Sequence, residues 1–194
     1  MSSVSKKLIA TILISSIFVS FLAYNFYQIF YKYQPDVDQI LAEISVEDKE
    51  LPPNVLKILK NTNEVSNIQH FTSTNLRITA TEKNGGISML EWHLFGLVWE
   101  KLLAIRIGEK EEFAYFANKV YFGKHGTSDE IIGFKNAAKF YFKKDLQNLD
   151  DEEILILLVF SKSPEYVRNI NSDNFLAKLN ELTEIYHNNL AKSY

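Results

Sequence analysis

The side chains that most often carry out catalysis or bind metals show no familiar spacing in this chain. There is no cysteine, which excludes a thiol nucleophile, a thiolate metal site and a disulfide. The histidines, at positions 70, 93, 125 and 187, share no metal-ligand spacing. A glycine-rich phosphate loop, an H-E-x-x-H helix and a G-x-S-x-G turn are also absent from the sequence. The sequence therefore predicts no metal site and no bound cofactor.

A series of four short motifs follows in the C-terminal half of the chain. In order they read Asn118-Lys119-Val120-Tyr121-Phe122-Gly123, Gly133-Phe134-Lys135-Asn136-Ala137-Ala138-Lys139-Phe140-Tyr141-Phe142, Leu149-Asp150-Asp151-Glu152-Glu153 and Lys162-Ser163-Pro164. The series resembles the C-terminal half of the peptidoglycan glycosyltransferase domain, the transglycosylase of penicillin-binding proteins and of monofunctional transglycosylases. That family has Y-L-N-x-x-Y-F-G, G-x-x-x-A-A-x-x-Y-F-x-K, L-x-x-x-E and K-x-P in this order. One such motif would be a weak indication of the family, whereas four motifs in order and at the family's spacing are a specific one.

The resemblance continues upstream with several departures. Leu51-Pro52-Pro53 matches the L-P-P that precedes the family's first motif, E-D-x-x-F-x-x-H-x-G. An ungapped count places Asn63 at the catalytic glutamate, Glu64 at the aspartate and His70 at the histidine. In the helix before Y-F-G, Ala114 stands at the family's second functional glutamate.

The family's second motif, G-G-S-T-x-T-Q-Q, is similar to Gly85-Gly86-Ile87-Ser88-Met89-Leu90-Glu91-Trp92. The cationic motif R-K-x-x-E has no counterpart that aligns, and the segment between the second motif and Y-F-G is shortened. The resemblance implies an all-α, lysozyme-like domain that acts on a lipid-linked disaccharide. The candidate substrate-binding residues that it implies are His70, Gly85, Gly86, Ser88, Glu91 and Asn118.

The departures fall on the residues that the family's reaction requires. In the family, a lipid-linked disaccharide attacks the growing glycan and displaces a prenyl diphosphate. One carboxylate takes the 4-hydroxyl proton, and cations with a divalent metal stabilise the leaving diphosphate. Asn63 cannot accept a proton at neutral pH, and Ala114 has no polar group. Glu64 is the candidate for a displaced base, and Mg²⁺ or Mn²⁺ is implied only for an active enzyme.

Two functions remain open at this stage. The chain is either a catalytically defective family member that acts as a binding or regulatory module in cell-wall synthesis, or a divergent active polymerase that uses Glu64. A third, weaker alternative treats the resemblance as one of fold alone. The expected partners are the membrane bilayer, the lipid-linked peptidoglycan precursor or a glycan strand, and other cell-wall synthases.

The N-terminal part predicts a membrane anchor. Residues 8–30 carry no charge, and as a helix this segment is long enough to cross a hydrocarbon core of roughly 30 Å. Lys6 and Lys7 precede this run, and tyrosines crowd its far end. The positive-inside rule then predicts a cytoplasmic N-terminus in the bacterial inner membrane, with residues 34–194 in the periplasm or outside. A cleaved signal peptide is the competing interpretation, but the apolar run is longer than such peptides usually have.

Charge divides the chain in the same place. The net charge is −3 for all 194 residues, while residues 1–33 carry three lysines and no acid. Residues 34–194 therefore carry −6, which argues against a nucleic-acid partner. The predicted organisation is a tip and anchor over 1–33, an acidic connector with at most one helical turn over 34–50, and one domain over 51–194.

Within that domain, apolar spacing predicts a series of helices. They cover 55–59, 89–107, 111–121, 131–142, 150–162 and 175–190. The helix over 150–162 begins with four acids and continues as an unbroken apolar run, so we expect it to be the most buried. Helix 89–107 is expected to be buried too, with contact to lipid as the alternative. Residues 66–84 are polar and β-branched and predict a loop with a short strand.

Overall fold

The computed structural model describes residues 3–44, 50–83, 85–86, 88–125, 129–164 and 170–192. Its helices are α1 (Ser3–Ile44), α2 (Pro53–Asn61), α3 (Val65–Lys83), α4 (Met89–Arg106), α5 (Glu109–Lys119), α6 (Phe134–Ala137), α7 (Asp151–Lys162) and α8 (Asp173–Lys192). A π-helical turn (Ala138–Phe142) continues α6, and a 3-10 turn (Leu146–Asn148) precedes α7. Two short antiparallel strands, β1 (Tyr121–His125) and β2 (Asp129–Ile132), form the sheet. The predicted mainly helical class is confirmed.

Helix α1 holds the predicted membrane segment and extends beyond it. Among the residues described, it is the one helix that contains a segment long and apolar enough to cross a membrane, Lys7–Asp36. The prediction of at most one helical turn after position 34 is wrong, because α1 continues to Ile44 with Pro35 inside it. The residues that follow Pro35 include Leu, Ala, Glu and Gln, which are strong helix formers.

The prediction of a loop and strand over 66–84 is also wrong. Helix α3 buries Ile68, Thr72, Leu76 and Ala80, which recur every four residues and so lie on one helical face. Burial of this face outweighs the poor helix propensity of the threonines. The hydroxyl of Thr81 donates to the carbonyl of Arg77 at 2.6 Å, so it is satisfied within the helix.

The contacts divide the chain into two compact units, each continuous in space but not in sequence. Unit 1 comprises Met1–Ala42 and Ser73–Leu103, and unit 2 comprises Glu43–Thr72 and Ala104–Tyr194. This division differs from the predicted segments 1–33, 34–50 and 51–194, which stay a prediction.

Helix α7 lies in the core of unit 2. Its buried residues are Ile154, Leu155, Leu157, Leu158, Val159 and Phe160. Asp150 caps the helix, because its carboxylate accepts the N–H of Glu153 at 2.9 Å and Glu153 in return accepts the N–H of Asp150 at 3.1 Å. The predicted start and end of this helix are thus confirmed, and its apolar run is buried, but it is not the most buried helix, because the shorter α5 also buries six residues. Helices α2 and α8 both pack against it.

The predicted helix over 131–142 begins later than expected. Residues 129–132 form β2, and α6 begins after Gly133, which has φ +81°. A Cβ atom there would lie 2.9 Å from the carbonyl oxygen of Asn118. The close approach of two backbones at this turn requires glycine, and it ends the strand before the helix can start.

Helix α4 is confirmed as a helix but not as one that is buried all round. Met89 is 79% exposed, Leu90 54% and Leu97 72%. These side chains present apolar surface in unit 1, the unit that also contains the candidate membrane span.

Candidate functional site

A pocket of about 250 Å³ in unit 2 surrounds the carboxylate of Glu64. Its other lining residues come from the end of α7 and from one face of α8: Val159, Lys162, Ser163, Lys178, Glu181, Leu182 and Ile185. Two motifs that the sequence analysis linked to the glycosyltransferase family, the Glu64 region and Lys162-Ser163, therefore meet at one pocket.

Both oxygens of Glu64 accept hydrogen bonds. The ammonium of Lys162 donates to Oε1 at 2.5 Å, and the amide of Asn67 donates to Oε2 at 2.8 Å. Glu64 is only 7% exposed, so burial would be costly for its charge without these partners. The side chain of Lys162 is 40% exposed and keeps contact with solvent. Lys162, the lysine of the motif Lys162-Ser163-Pro164, thus pairs with Glu64.

The turn between α2 and α3 decides which residue faces the pocket. Thr62 closes the end of α2, because its hydroxyl donates to the carbonyl of Ile58 at 2.9 Å. Asn63 then takes the left-handed conformation, with φ +58°, and is exposed. The next residue, Glu64, is buried and lines the pocket. Asn63, the position that aligns with the catalytic glutamate, is thus kept out of the pocket by the conformation of its own backbone, and the following residue lines the pocket instead.

The C-terminal part of α8 holds this turn in place. The side-chain amide of Asn189 donates to the carbonyl of Asn61 and to Oδ1 of Asn63, both at 3.0 Å. The side chain of Asn63 therefore contacts α8 instead of the pocket.

A second ion pair lies on the α8 wall of the pocket. Lys178 donates to Glu181 at 2.6 Å, and both side chains are more than half exposed. With the Glu64–Lys162 pair, the pocket lining has two cations and two anions, so its formal charge is zero. Charge balance leaves the pocket without a strong preference for anions or cations.

Helix α5 buries the position of the family's second glutamate. Ala114 is 1% exposed and lies among the buried residues 112–117. Glu112, two positions earlier, is 3% exposed, and burial raises the pKa of this carboxyl although a hydrogen bond from Gln69 opposes the rise. Neither residue lines the pocket around Glu64.

Two other predicted site residues in unit 2 lie elsewhere. His70 is exposed on α3 and is not part of the pocket lining. The amide of Asn118 donates to the carbonyl of Ala114 at 2.9 Å, which is a contact within α5. Asn118 also lines a second pocket of about 340 Å³, together with Leu51, Pro52 and Lys135.

The remaining predicted residues belong to unit 1. Gly85 and Gly86 have φ +74° and +101° and are exposed in the turn before α4. Ser88 and Glu91 cap α4 reciprocally: Ser88 N–H donates to Glu91 at 2.9 Å, and Glu91 N–H donates to Ser88 Oγ at 3.2 Å. Two hydrogen bonds with Ser88 lower the pKa of Glu91, and the one from the Ser88 backbone has a larger effect than the one with its side chain. Capping accounts for this serine and glutamate without a ligand.

Within the described parts of the chain, no cluster of three His, Cys, Asp or Glu residues could hold a metal ion. His125 has no described side chain, as is also true of Trp99. A divalent cation therefore stays an expectation tied to an active enzyme.

Sequence reasoning missed the contribution of α8. Lys178, Glu181 and Asn189 line the pocket or hold its turn, yet none belongs to a motif that was singled out. The amphipathic pattern over 175–190 predicted the helix but gave no sign of its packing partner. Glu112 was also missed, and its place in an otherwise apolar run, Phe113 to Ala117, is the signal that could have marked it.

The comparison with known families concerns the part of the chain that contains α5, the hairpin, α7 and most of α8. Residues 100–187 match the transglycosylase family model. The matched segment is slightly shorter than half of the chain. The resemblance to the peptidoglycan glycosyltransferase domain, inferred above from four motifs, is thereby confirmed where those motifs occur. The transglycosylase match includes Lys162 and the α8 wall but begins after Glu64. No curated protein and no solved structure matches the chain.

Proposed function

We propose that this transglycosylase-family chain is a membrane-anchored protein that no longer polymerises glycan and acts as a binding or regulatory module in cell-wall synthesis. The observation that carries the proposal is the state of Glu64. Each of its two oxygens accepts a hydrogen bond from within the protein, from Lys162 at 2.5 Å and from Asn67 at 2.8 Å. A general base must lie within hydrogen-bond reach of the hydroxyl proton that it abstracts. Here the carboxylate is directed at a lysine and an amide of the protein instead.

Three losses act on the same transition state. Asn63 is exposed and contacts α8, Ala114 is buried and apolar, and the R-K-x-x-E motif is missing. Removing a general base typically costs about 10²–10⁴ in rate. Loss of a cationic contact to the leaving diphosphate would lower the rate further, by about 10²–10³ if it resembles the removal of one donor that stabilises developing charge.

The proposed location follows from the anchor. The candidate span Lys7–Asp36 and the lysines that precede it favour a single-pass protein with its domain outside the cytoplasm. In that compartment the expected partners are the lipid-linked precursor or a glycan strand, and other cell-wall synthases. These partners are inferred from the family and the anchor.

The proposal is tested with the purified full-length protein in detergent, lipid-linked disaccharide-peptide and Mg²⁺. We expect no glycan polymer on a gel that resolves the products of an active family member run in parallel. Retention of radiolabelled precursor on the immobilised protein measures binding separately. Polymer formation by the parent protein would contradict the proposed loss of activity.

The alternative is a divergent active enzyme with Glu64 as a displaced base, and one observation favours it. Glu64 is the buried carboxylate of the pocket, within reach of a ligand that displaces Lys162. If the parent makes polymer, Glu64→Gln should abolish it. Glu181→Gln is the matched control, because it removes the other acid of the same pocket and should leave polymerisation unchanged.

A further inference from the structure

In unit 1, an arginine on α3 is held against one face of α4. Trp92, Gly96 and Glu100 follow one another at intervals of four residues along α4, so they lie on the same face. The guanidinium carbon of Arg77 lies 4.1 Å from the centre of the Trp92 ring, within the range of a cation–π interaction. Nη1 also donates to the carbonyl of Trp92 at 3.3 Å.

Gly96 provides the space for this guanidinium. A Cβ atom at Gly96 would lie 2.2 Å from Nη1 of Arg77, so any side chain there would displace the group. The absence of a side chain at position 96, together with the Trp92 ring, fixes the position of the cation.

The guanidinium has more donors than the surrounding residues accept. Of its five N–H groups, described contacts take one at 3.3 Å to Trp92 and one at 3.5 Å to Thr74, the latter at the limit of a hydrogen bond. Nε is buried without a partner. Burial lowers the pKa of Arg77, and Glu100 opposes this. Arg77 is half-buried, and its unpaired, buried Nε together with its further N–H groups favours an anion that completes its environment.

The position of this cation relative to the candidate span comes from two contacts with α1. Lys32, near the end of the span Lys7–Asp36, pairs with Glu91 at 3.9 Å. Lys83, at the end of α3, donates to Gln39 at 3.0 Å. The two contact points on α1 are about 10 Å apart along its axis. Trp92 follows Glu91 directly, so it lies level with the outer end of the span.

An exposed apolar side chain lies one turn away on the same helix. Met89, three residues before Trp92, is 79% exposed. Tryptophan is favoured at the boundary between hydrocarbon and water, and arginine can place its stem against hydrocarbon and its charged group in water there. An exposed apolar side chain one turn from an under-bonded cation matches an amphiphile that has an anionic head.

We propose that Arg77 and Trp92 bind the phosphate of an anionic glycerophospholipid at the outer surface of the membrane, with Met89 against its acyl chains. The proposal rests on the membrane anchor of the proposed function. The phosphate accepts from the free N–H groups of Nη1 and Nη2, while Trp92 keeps the guanidinium plane in place. The lipid is bound and not converted.

The test uses the full-length protein with Trp99→Phe, which leaves Trp92 as the only tryptophan. The protein is placed in neutral detergent micelles, and quenching of Trp92 is measured with brominated phosphatidylglycerol and with brominated phosphatidylcholine. We expect phosphatidylglycerol to reach half-maximal quenching at a mole fraction about tenfold lower. Because each variant is compared with itself for the two lipids, changes in its intrinsic fluorescence cancel.

Three variants test whether the preference for phosphatidylglycerol depends on Arg77. Arg77→Gln and Gly96→Ala should both abolish it, the first by removing the cation and the second by displacing it while every charge is kept. Lys83→Gln is the matched control, since it removes one positive charge from the same helix and should retain the preference. Gly96→Ala keeps the test informative if Arg77→Gln fails to fold, because only the end of a flexible side chain has to move.

Several outcomes would overturn the proposal. Equal quenching by the two lipids, no quenching by either, or a preference that survives both Arg77→Gln and Gly96→Ala would each do so. Inorganic phosphate or a prenyl diphosphate that displaces phosphatidylglycerol at far lower concentration would assign the site to a soluble anion or to the lipid-linked precursor. Polymer formation in the assay above would overturn only the loss of activity and leave the lipid preference intact.

Discussion

The Glu64–Lys162 pair should contribute to the stability of unit 2 in an asymmetric way, and the asymmetry is measurable. Lys162→Met leaves a carboxylate that is 9% exposed without its cation. Glu64→Gln leaves an ammonium that is 40% exposed and can turn to water. We therefore expect the lysine replacement to cost more than the glutamate replacement.

The magnitude follows from the distance and the exposure. At 2.5 Å, the attraction of two unit charges is about 6–7 kcal/mol for an effective dielectric constant of about 20. Desolvation of Glu64 and solvent screening at Lys162 offset most of this. The net cost of Lys162→Met should lie between that of an exposed pair, about 0–1 kcal/mol, and that of a broken buried pair, about 3–5 kcal/mol. We expect about 2 kcal/mol for Lys162→Met and under 1 kcal/mol for Glu64→Gln.

Thermal unfolding of the full-length protein in detergent, followed by far-ultraviolet circular dichroism, measures the effect. For a chain of this size, about 2 kcal/mol corresponds to a fall in Tm of about 4–8 °C. The double variant should be less destabilised than the sum of the single ones, with a coupling of about 1–2 kcal/mol. Lys178→Met is the control, because it breaks a fully surface pair in the same pocket and should change Tm by no more than a degree or two. Equal effects at positions 162 and 178, or strict additivity, would refute the reasoning.

Three further predictions concern topology, the core and a buried acid. Protease added to intact spheroplasts should digest residues 34–194, whereas protection under conditions that cut a known external domain would reverse the orientation. Leu157→Asp, which buries an unpaired charge, should prevent folding, while Leu176→Asp at a 44% exposed position of α8 should melt within about 2 °C of the parent. At pH values above 7, Glu112→Gln should have a higher Tm than the parent. The pKa of Glu112 is raised in the folded state, so the stability of the parent falls as the pH increases from the ordinary pKa of 4.5 through the folded value. The amide does not titrate and removes this fall. An unchanged pH dependence of Tm in Glu112→Gln would contradict the last of these.

Local signals in the sequence were sufficient to predict those helices whose stability depends on residues close together in the chain. Four acids followed by an unbroken apolar run predicted where α7 begins, and the uncharged run 8–30 predicted a helix that could span a membrane. Helix α3 was missed because its buried face, Ile68 to Ala80 in steps of four, is interrupted by threonines that favour strands in isolation. Tertiary burial overrode propensity there, which no local pattern reveals.

The candidate site was less predictable because its contacts are distant in sequence. Glu64 and Lys162 are separated by 98 positions, and Asn63 and Asn189 by 126. The sequence motifs aligned Glu64 and Lys162 with two motifs of the same family, but they did not indicate that the two side chains pair. Their pairing depends on the packing of α2, α7 and α8 around one core, which emerges only when the helices are assembled.

The turn at Asn63 carries the last prediction, because its backbone decides what a restored glutamate could do. Asn63 has φ +58°, a conformation that asparagine tolerates and that costs most other residues about 1 kcal/mol or more. In Asn63→Glu the new carboxylate would start from an exposed position and accept the hydrogen bond that Asn189 now gives to Oδ1. It would therefore stay outside the pocket that holds Glu64.

Asn63→Glu should for this reason lower Tm by about 2–4 °C and produce no glycan polymer from lipid-linked disaccharide-peptide. Asn63→Gly is the control, because it keeps the left-handed backbone without strain and loses only the exposed contact to Asn189. If Asn63→Glu polymerised glycan while Asn63→Gly did not, the turn would have to reverse its orientation when substrate binds. The Glu64–Lys162 pair would then be a resting arrangement of an enzyme that lacks one carboxylate. Without polymer, the geometry of one left-handed residue is sufficient to keep an acid at position 63 out of the pocket.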